Sequence, residues 1–330
     1  RDGSSDVCSS DLARSCARQH AVARAFDASP PRFPMHPAAL LAAATWLLLS
    51  STAPAAVVVD WSFNQSSGTV AIDSGPNHVD GTLSGDTAWA AGLGQNAVDV
   101  GGNGFVDFTQ SGPPKVPTAV SQLAQGSIGV RFFVESFPAD QASHPILPIL
   151  WMGRDFGGLG QYGLTIEIGH APPYKPFDHA IYFTILDVVE LPIFCFNSAQ
   201  DITAGVWHTF VAVVGATGNT GYLDGIEMTD RHYNFGNPSA TDFFSSVTPP
   251  SNALWVGKGF YAQETGAQHF NGLIQNLRIF DQPLTSQEVA ALYAVPEIDS
   301  GGIAASLAIL TGTIGLVERR SRRRHGSASA

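Results

Sequence analysis

The sequence predicts an all-β protein whose main domain is a sandwich of two antiparallel sheets, with one short helix near the C-terminus and a terminal membrane-spanning helix. Short runs rich in β-branched and aromatic residues recur from residue 57 to residue 280, with turn residues between them. Gly and Pro number 34 and 21 in a chain of 330 residues, which favours many short elements joined by turns. No stretch between the runs has a helical period, which argues against a βαβ protein.

Two segments precede the predicted sandwich. Residues 1–34 begin with RDGSSDVCSSDL, which is similar to a translated sequencing-library adaptor. We interpret residues 1–34 as adaptor and upstream sequence. A genuine polar leader is the alternative. Residues 35–55 are predicted to be a signal peptide, because a 12-residue Ala/Leu run is followed by the small residues Ala53 and Ala55. The sequence therefore predicts an exported chain with its sandwich at residues 56–294.

The strand-like segments are four to eight residues long. In several of them, such as residues 207–214, the residues that would point to either face of the sheet are apolar. Such strands fit the middle of a two-layer sandwich. Asp224-Gly225 predicts a two-residue hairpin turn. The alternative is that Asp224 is a metal ligand or a catalytic carboxylate. The segments are residues 57–63, 96–100, 105–108, 127–134, 162–168, 180–186, 207–214, 221–228, 253–258 and 273–280.

A short helix is predicted directly after the last strand. Thr285 is followed by Glu288 three residues later, which is the spacing of a capping box. Val289, Leu292 and Tyr293 then fall on one helical face. We expect this helix to lie against the sandwich.

The C-terminal segment, residues 295–325, has three parts in order. Val295, Pro296 and Glu297 precede an uncharged stretch at 300–317, which is about 27 Å long as a helix and nearly matches a bilayer core. A basic cluster then predicts a cytoplasmic C-terminus; it consists of Arg319, Arg320, Arg322, Arg323 and Arg324. The segment resembles the PEP-CTERM sorting tail in its VPEID variant. This resemblance implies cleavage by an exosortase, with the membrane helix held at least transiently; a plain membrane anchor is the alternative.

Charge and cysteine content restrict the partners and the compartment. Between residues 57 and 297 there are seven basic and 22 acidic residues, and so acidic a domain repels nucleic acid. Once residues 1–34 are set aside, Cys195 is the one cysteine left. It cannot form an intrachain disulfide, and we predict that it is a small buried hydrophobic residue.

Three segments are similar to the laminin-G-like, concanavalin A-like jelly-roll domain of bacterial exported proteins. The first is residues 60–85, followed by AVDVGGNGFVDF; the others are residues 205–225 and 270–293. The resemblance implies a jelly roll of two antiparallel sheets with a concave front. It also implies loops at one rim that form a ligand or Ca²⁺ site, and it does not imply one function.

Catalysis is not expected. Some relatives of this fold hydrolyse glycosidic bonds, and their pattern is Glu-x-Asp-x-(x)-Glu. The nearest match here has Asp187 and Glu190 but places Ile185 where the nucleophilic carboxylate is required. The sequence therefore favours a protein that is not an enzyme, a diverged glycoside hydrolase being the least favoured alternative.

Two groups of residues are candidates for binding. Asp107 and Asp155 are the candidate Ca²⁺ ligands, since Ca²⁺ prefers carboxylate oxygens; otherwise no cofactor is expected. Four aromatic residues in a Gly/Pro-rich region could stack on sugar rings, with core packing as the alternative for each: Trp151, Tyr162, Tyr174 and Tyr182. Trp207 and Trp255 lie inside strand runs and are assigned to the core.

We therefore expect a non-catalytic protein of the cell envelope, cell surface or extracellular matrix, associated with glycans or extracellular polysaccharide. A structural adhesion or surface-layer protein without a glycan site is the alternative. An exosortase-type processing enzyme, extracellular polysaccharide and the membrane are the expected partners.

Overall fold

The computed structural model describes residues 54–137, 146–154, 162–169, 179–186, 192–248, 250–260 and 267–293. Every described residue lies in one compact unit, which begins at Pro54. A search of these residues for a helix long and apolar enough to cross a membrane finds none. The predicted signal peptide up to residue 53, the motif at Val295, Pro296 and Glu297, the predicted helix over 300–317 and the basic cluster at 319–324 lie outside the described residues.

The described part of the chain is an all-β sandwich of two large antiparallel sheets, as predicted. The eight-stranded sheet runs β14-β13-β12-β7-β19-β5-β4, with β1 also paired to β19. Its strands are β1 (Val57–Trp61), β4 (Ala88–Ala91), β5 (Asn96–Asp99), β7 (Gly126–Val134), β12 (Trp207–Gly215), β13 (Gly218–Leu223), β14 (Ile226–Glu227) and β19 (Gly272–Phe280).

The nine-stranded sheet runs β15-β11-β10-β9-β8-β16-β6-β3-β2. Its strands are β2 (Val70–Ala71), β3 (Gly81–Ser84), β6 (Phe105–Asp107), β8 (Leu147–Gly153), β9 (Gly163–Gly169), β10 (Ala180–Leu186), β11 (Pro192–Asn197), β15 (His232–Phe235) and β16 (Ala253–Val256). A third, two-stranded sheet pairs β17 (Lys258–Gly259) with β18 (Gln268–His269).

The main core lies between the two large sheets and follows from residue alternation. In β7, Ile128, Val130 and Phe132 are fully buried in this core, whereas the alternate residues point to the other side of the sheet. The nine-stranded sheet contributes aromatic side chains such as Phe183 and Phe196, whose ring centroids are 5.6 Å apart. Rings of this size remove much apolar surface from water.

The eight-stranded sheet is also covered on its outer side, which explains why residues 207–214 are apolar on both alternations. Val211 and Val213 of β12 pack in a second cluster with Leu284 and Val289. Val289 belongs to helix α2 (Ser286–Tyr293); a shorter helix, α1, covers Thr118–Ser121. The predicted helix against the sandwich is therefore confirmed.

Two predicted local motifs are also confirmed. Thr285 and Glu288 form the capping box: the Thr285 backbone N–H donates to Glu288 Oε2 at 2.8 Å, and the Glu288 N–H donates to Thr285 Oγ1 at 3.3 Å. Asp224 and Gly225 connect β13 to β14 with φ values of 52° and 78°. Two successive positive φ values are typical of a type I′ hairpin turn.

Two strands of the nine-stranded sheet contain proline and were not predicted. Pro148 lies in β8 at a break in register with β9, and Pro192 is the first residue of β11, at a break in register with β10. Proline cannot donate to the ladder, so it is tolerated at bulges and strand starts.

The assignment of Trp207 to the core needs correction. Trp207 lies on the outer side of the eight-stranded sheet, is only half-buried, and packs against Phe133 with ring centroids 5.7 Å apart. Trp255 is buried as predicted, in a separate core cluster with Trp151 and Ala253 on the side away from the other sheet. Strand sequence alone does not distinguish the two sides of a sheet that is covered on both.

Candidate functional site

The candidate site is the front face, defined here as the side of the nine-stranded sheet that points away from the other sheet. Strand register places a row of residues across it. Their immediate neighbours, such as Leu254, Leu164 and Phe194, belong to the inter-sheet core. The row consists of Asp107, Trp255, Trp151, Thr165, Thr184 and Cys195.

Trp151, a predicted sugar-stacking residue, lies in the middle of this row and is 1% exposed. Its indole Nε1 donates to the Arg154 carbonyl oxygen at 2.9 Å. Gly153 and Gly163 make room for the ring, since a Cβ at these positions would lie 3.0 Å and 3.3 Å from atoms of the indole. Trp151 therefore belongs to the floor of the front face and offers little surface to a ligand.

The other predicted aromatic residues are also deep in the protein where they are described. Tyr162 is 7% exposed and donates from its hydroxyl to the Pro250 carbonyl at 3.3 Å. Tyr182 is 5% exposed and packs with Ala180 and Cys195 on the front face. Tyr174 lies outside the described residues.

Of the predicted Ca²⁺ ligands, Asp107 lies on the front face and Asp155 lies outside the described residues. Asp107 Oδ1 accepts a hydrogen bond from the Thr109 N–H at 2.9 Å. Within the described ranges, no three His, Cys, Asp or Glu side chains come together so that they could hold a metal ion. The calcium site stays a prediction.

A partly exposed group of aromatic residues around Lys258 occupies one end of the front face. Sequence reasoning did not single it out. We call it the Lys258 cluster and define it as Lys258, Phe105, Trp255 and Phe260. The Lys258 ammonium lies 4.2 Å from the ring centroid of Phe105 and 4.3 Å from that of Trp255. Phe260 packs edge-on against Trp255 with centroids 5.8 Å apart. Such cation–π contacts are worth about 0.5–2 kcal/mol each, depending on desolvation.

Exposure and hydrogen bonding differ within the Lys258 cluster. Phe105, Phe260 and Lys258 are half-buried and keep part of their surface accessible. Trp255 is 5% exposed, and its Nε1 is a buried donor for which the described part of the chain supplies no acceptor. His269 packs edge-on against Phe105. Burial lowers the pKa of His269 against the opposing hydrogen bond to the Gly104 carbonyl, and the nearby Lys258 charge lowers it further. The sequence signal for this cluster is the stretch Trp-Val-Gly-Lys-Gly-Phe at residues 255–260, in which one lysine lies between two aromatic residues.

A carboxyl group that the sequence analysis did not single out also lies on the front face. Glu167 of β9 is half-buried and accepts a hydrogen bond from Thr165 Oγ1 at 3.0 Å. Burial raises the pKa of Glu167 to about 7, against the smaller opposing effect of the Thr165 hydrogen bond. Cys195, two strands away, is buried as predicted, and burial raises the pKa of its thiol to about 11. Neither group is ionised in full at neutral pH.

The residue at the position of a glucanase nucleophile points away from the front face. Ile185 is fully buried in the inter-sheet core. A carboxylate at this position of β10 would therefore not reach a ligand on the front face in this register. Asp187 and Glu190 lie outside the described residues.

Comparison with known proteins gives a family match over one third of the chain. Residues 180–290 match the family model Laminin_G_3, described as the concanavalin A-like lectin/glucanases superfamily. No curated protein matches the sequence.

Solved structures give partial matches at low identity. Domain 4 of AbnA, a GH43 extracellular arabinanase from Geobacillus stearothermophilus in complex with arabinotriose, is 17% identical with a TM-score of 0.48; the match covers 73% of this chain and 99% of that one. The CBM40 of Ruminococcus gnavus IT-sialidase is 17% identical with a TM-score of 0.44, covering 59% and 96%. Trypanosoma rangeli sialidase in complex with sialic acid is 13% identical with a TM-score of 0.47, covering 73% and 33%. The stretch from β10 to α2 is thus the part of this sandwich that is similar in sequence to the concanavalin A-like lectin/glucanase superfamily.

Proposed function

We propose that the protein is a non-catalytic protein of the cell surface or extracellular matrix that binds glycan through the Lys258 cluster. The observation that carries the proposal is a cation held over two aromatic rings on the partly exposed end of the front face. The superfamily match of residues 180–290 includes Lys258, Trp255 and Phe260.

The chemistry of the cluster suits a sugar ring. Pyranose rings present apolar C–H faces, and the half-buried rings of Phe105 and Phe260 offer apolar surface at the same place. The Lys258 ammonium carries three N–H donors and can bind ring hydroxyls or a carboxylate. An aromatic surface beside a fixed donor gives both the contact area and the orientation that a glycan site needs.

A non-catalytic role is supported by the spacing of two front-face carboxyl groups in the described part of the chain. Glu167 lies on β9 and Asp107 on β6, with β8 and β16 between them. Three inter-strand steps separate them by roughly 14 Å. Glycosidases need carboxyl pairs about 5–5.5 Å apart for retention or about 6.5–9.5 Å apart for inversion. This pair is too far apart for either mechanism.

Export and sorting belong to the same proposal and rest on the sequence outside the sandwich. Residues 35–55 carry the signal-peptide pattern, and the VPEID motif begins two residues after the end of α2 at Tyr293. The stretch over 300–317, predicted to be a membrane helix, follows this motif in the sequence. An exosortase-type enzyme would cut between the sandwich and this stretch and leave the sandwich at the cell surface.

A glycan array probed with the full chain tests the proposal. We expect binding to at least one glycan, reduced about tenfold or more by Lys258→Ala and by Phe105→Ala. Ile226→Ala is the control, since Ile226 is an exposed apolar residue of β14, in the other sheet, and it should bind as the wild type does. Parallel arrays with Ca²⁺ and with a chelator test the calcium prediction. Absence of any glycan binding would overturn the proposal in favour of a structural adhesion role, and release of reducing ends would overturn its non-catalytic part.

A further inference from the structure

An open groove of about 450 Å³ lies between two loops, residues 77–79 and residues 110–119. Neither loop contributes to the Lys258 cluster. The volume is in the range of about 300–1,000 Å³ that is usual for small-ligand sites. Asn77, His78, Gln110, Ser111 and Thr118 supply hydrogen-bonding groups along the groove, and three proline rings supply apolar surface.

The lining of the groove is polar but carries no carboxylate, lysine or arginine. Amide, imidazole and hydroxyl side chains both donate and accept hydrogen bonds, which is what neutral hydroxyl groups require of their partners. The surrounding domain is strongly acidic, and this repels anionic ligands. Lys115, the cation on the second loop, donates to the Ser111 carbonyl and is not among the lining residues. Proline rings can cover the C–H face of a sugar, since they are apolar and fixed in shape.

Hydrogen bonds to the rest of the domain fix the first loop of the groove. The Asn77 side-chain amide donates to the Val58 carbonyl at 2.8 Å, and the Val79 N–H donates to Asp73 Oδ2 at 2.8 Å. Val79 also accepts a hydrogen bond from Trp61 Nε1 at 2.8 Å. His78 lies between these two hydrogen-bonded residues with a φ of 49°, in the left-handed region that residues other than Gly rarely adopt.

The second loop of the groove is fixed by hydrogen bonds between its own residues. The Gln110 N–H donates to the Lys115 carbonyl at 2.7 Å, and Lys115 Nζ donates to the Ser111 carbonyl at 3.2 Å. A groove whose two walls are fixed before binding loses less entropy when a ligand enters. The geometry points to a second binding site, separate from the Lys258 cluster, that takes a neutral saccharide unit.

Titration of the full chain with cellobiose, maltose and mannobiose tests this inference, with digalacturonic acid as the acidic comparison. We expect at least one neutral disaccharide to bind and digalacturonic acid to bind at least fivefold more weakly. Gly112→Trp should weaken binding tenfold or more, because a Cβ at Gly112 meets no atom within 4 Å and the new ring would fill the groove. His78→Asn should weaken it about fivefold, since Asn tolerates the backbone conformation but lacks the imidazole.

Ile226→Ala is the control and should leave disaccharide binding unchanged, since Ile226 is an exposed residue of β14, in the other sheet. The variants tell the two sites apart: binding lost in Gly112→Trp and His78→Asn but kept in Lys258→Ala supports the groove, and binding lost only in Lys258→Ala overturns the inference. Failure of all three neutral disaccharides to bind would overturn the inference, as would wild-type binding in Gly112→Trp. If Gly112→Trp does not fold, wild-type binding in His78→Asn overturns it instead.

Discussion

The carboxylate of Asp73 connects β1 to the loop that carries His78, and its removal should destabilise the domain measurably. Asp73 is 1% exposed. Its Oδ1 accepts hydrogen bonds from the Asp60 and Gly75 N–H groups at 2.8 Å and 2.7 Å, and its Oδ2 accepts one from the Val79 N–H at 2.8 Å. Three backbone donors thus depend on one side chain, and the hydrogen bonds from Gly75 and Val79 are buried.

The size of the effect follows from what asparagine can replace. In Asp73→Asn the remaining carbonyl oxygen can still accept from Asp60 and Gly75, but without the negative charge that strengthens both bonds. The new amide NH₂ would face the Val79 N–H and leave that buried donor unsatisfied, at a cost of about 1–3 kcal/mol. The sum is roughly 3 kcal/mol, which corresponds to a melting midpoint about 6–12 °C lower for a domain of this size.

Thermal unfolding followed by circular dichroism measures this difference. Asp80→Asn is the matched control: Asp80 is exposed and accepts a single hydrogen bond, from the Asp73 N–H at 2.8 Å, which an asparagine oxygen can also accept. It should shift the midpoint by less than about 2 °C. Equal midpoints for Asp73→Asn and Asp80→Asn would refute the reasoning, because the three backbone donors would then not depend on the Asp73 charge.

Three further predictions concern pH, redox state and processing. Burial acts to lower the pKa of His208, but the hydrogen bond and charge of Asp224, 2.9 Å away, outweigh it and raise the pKa. The His208–Asp224 pair therefore stabilises the domain fully at pH values below the ordinary His pKa. Its contribution falls as the pH rises through the raised pKa of His208. The midpoint difference between wild type and Asp224→Asn should be larger at pH 5.5 than at pH 8.5, and a larger difference at pH 8.5 would contradict this sign. Residues 56–294 expressed alone should unfold cooperatively at the same temperature with and without dithiothreitol, because Cys195 is a buried free thiol; a shift of several degrees would count against it. Glu297→Ala should leave full-length protein in the membrane fraction of the native host, whereas peptides covering 319–324 on surface-exposed wild-type protein would exclude the sorting hypothesis.

Much of the sandwich could be predicted because local signals and tertiary structure agree. The turn at Asp224-Gly225 and the capping box at Thr285 and Glu288 need only neighbouring residues, so the sequence is sufficient to place them. Strands β8 and β11 were missed because proline argues against a strand unless a bulge or a strand start accommodates it. Such a bulge is visible only once the partner strand is known.

The candidate site was harder to predict because it depends on which side of a sheet each ring occupies. Trp151 and Trp255 face each other on paired strands, on the side away from the core, and a sequence that is apolar on both alternations does not reveal that side. The Lys258 cluster joins Phe105 to residues 255–260, about 150 positions later in the chain. Its members come together only through the pairing of β6 with β16.

The central claim, that glycan binds at the Lys258 cluster, is tested most directly by locating a bound glycan. Intermolecular nuclear Overhauser effects can be measured between the sugar C–H protons and the aromatic protons of the protein, using a glycan selected on the array. The account predicts contacts to the rings of Phe105 and Phe260. Contacts confined to the half-buried Trp207–Phe133 pair, on the outer side of the other sheet, would contradict it.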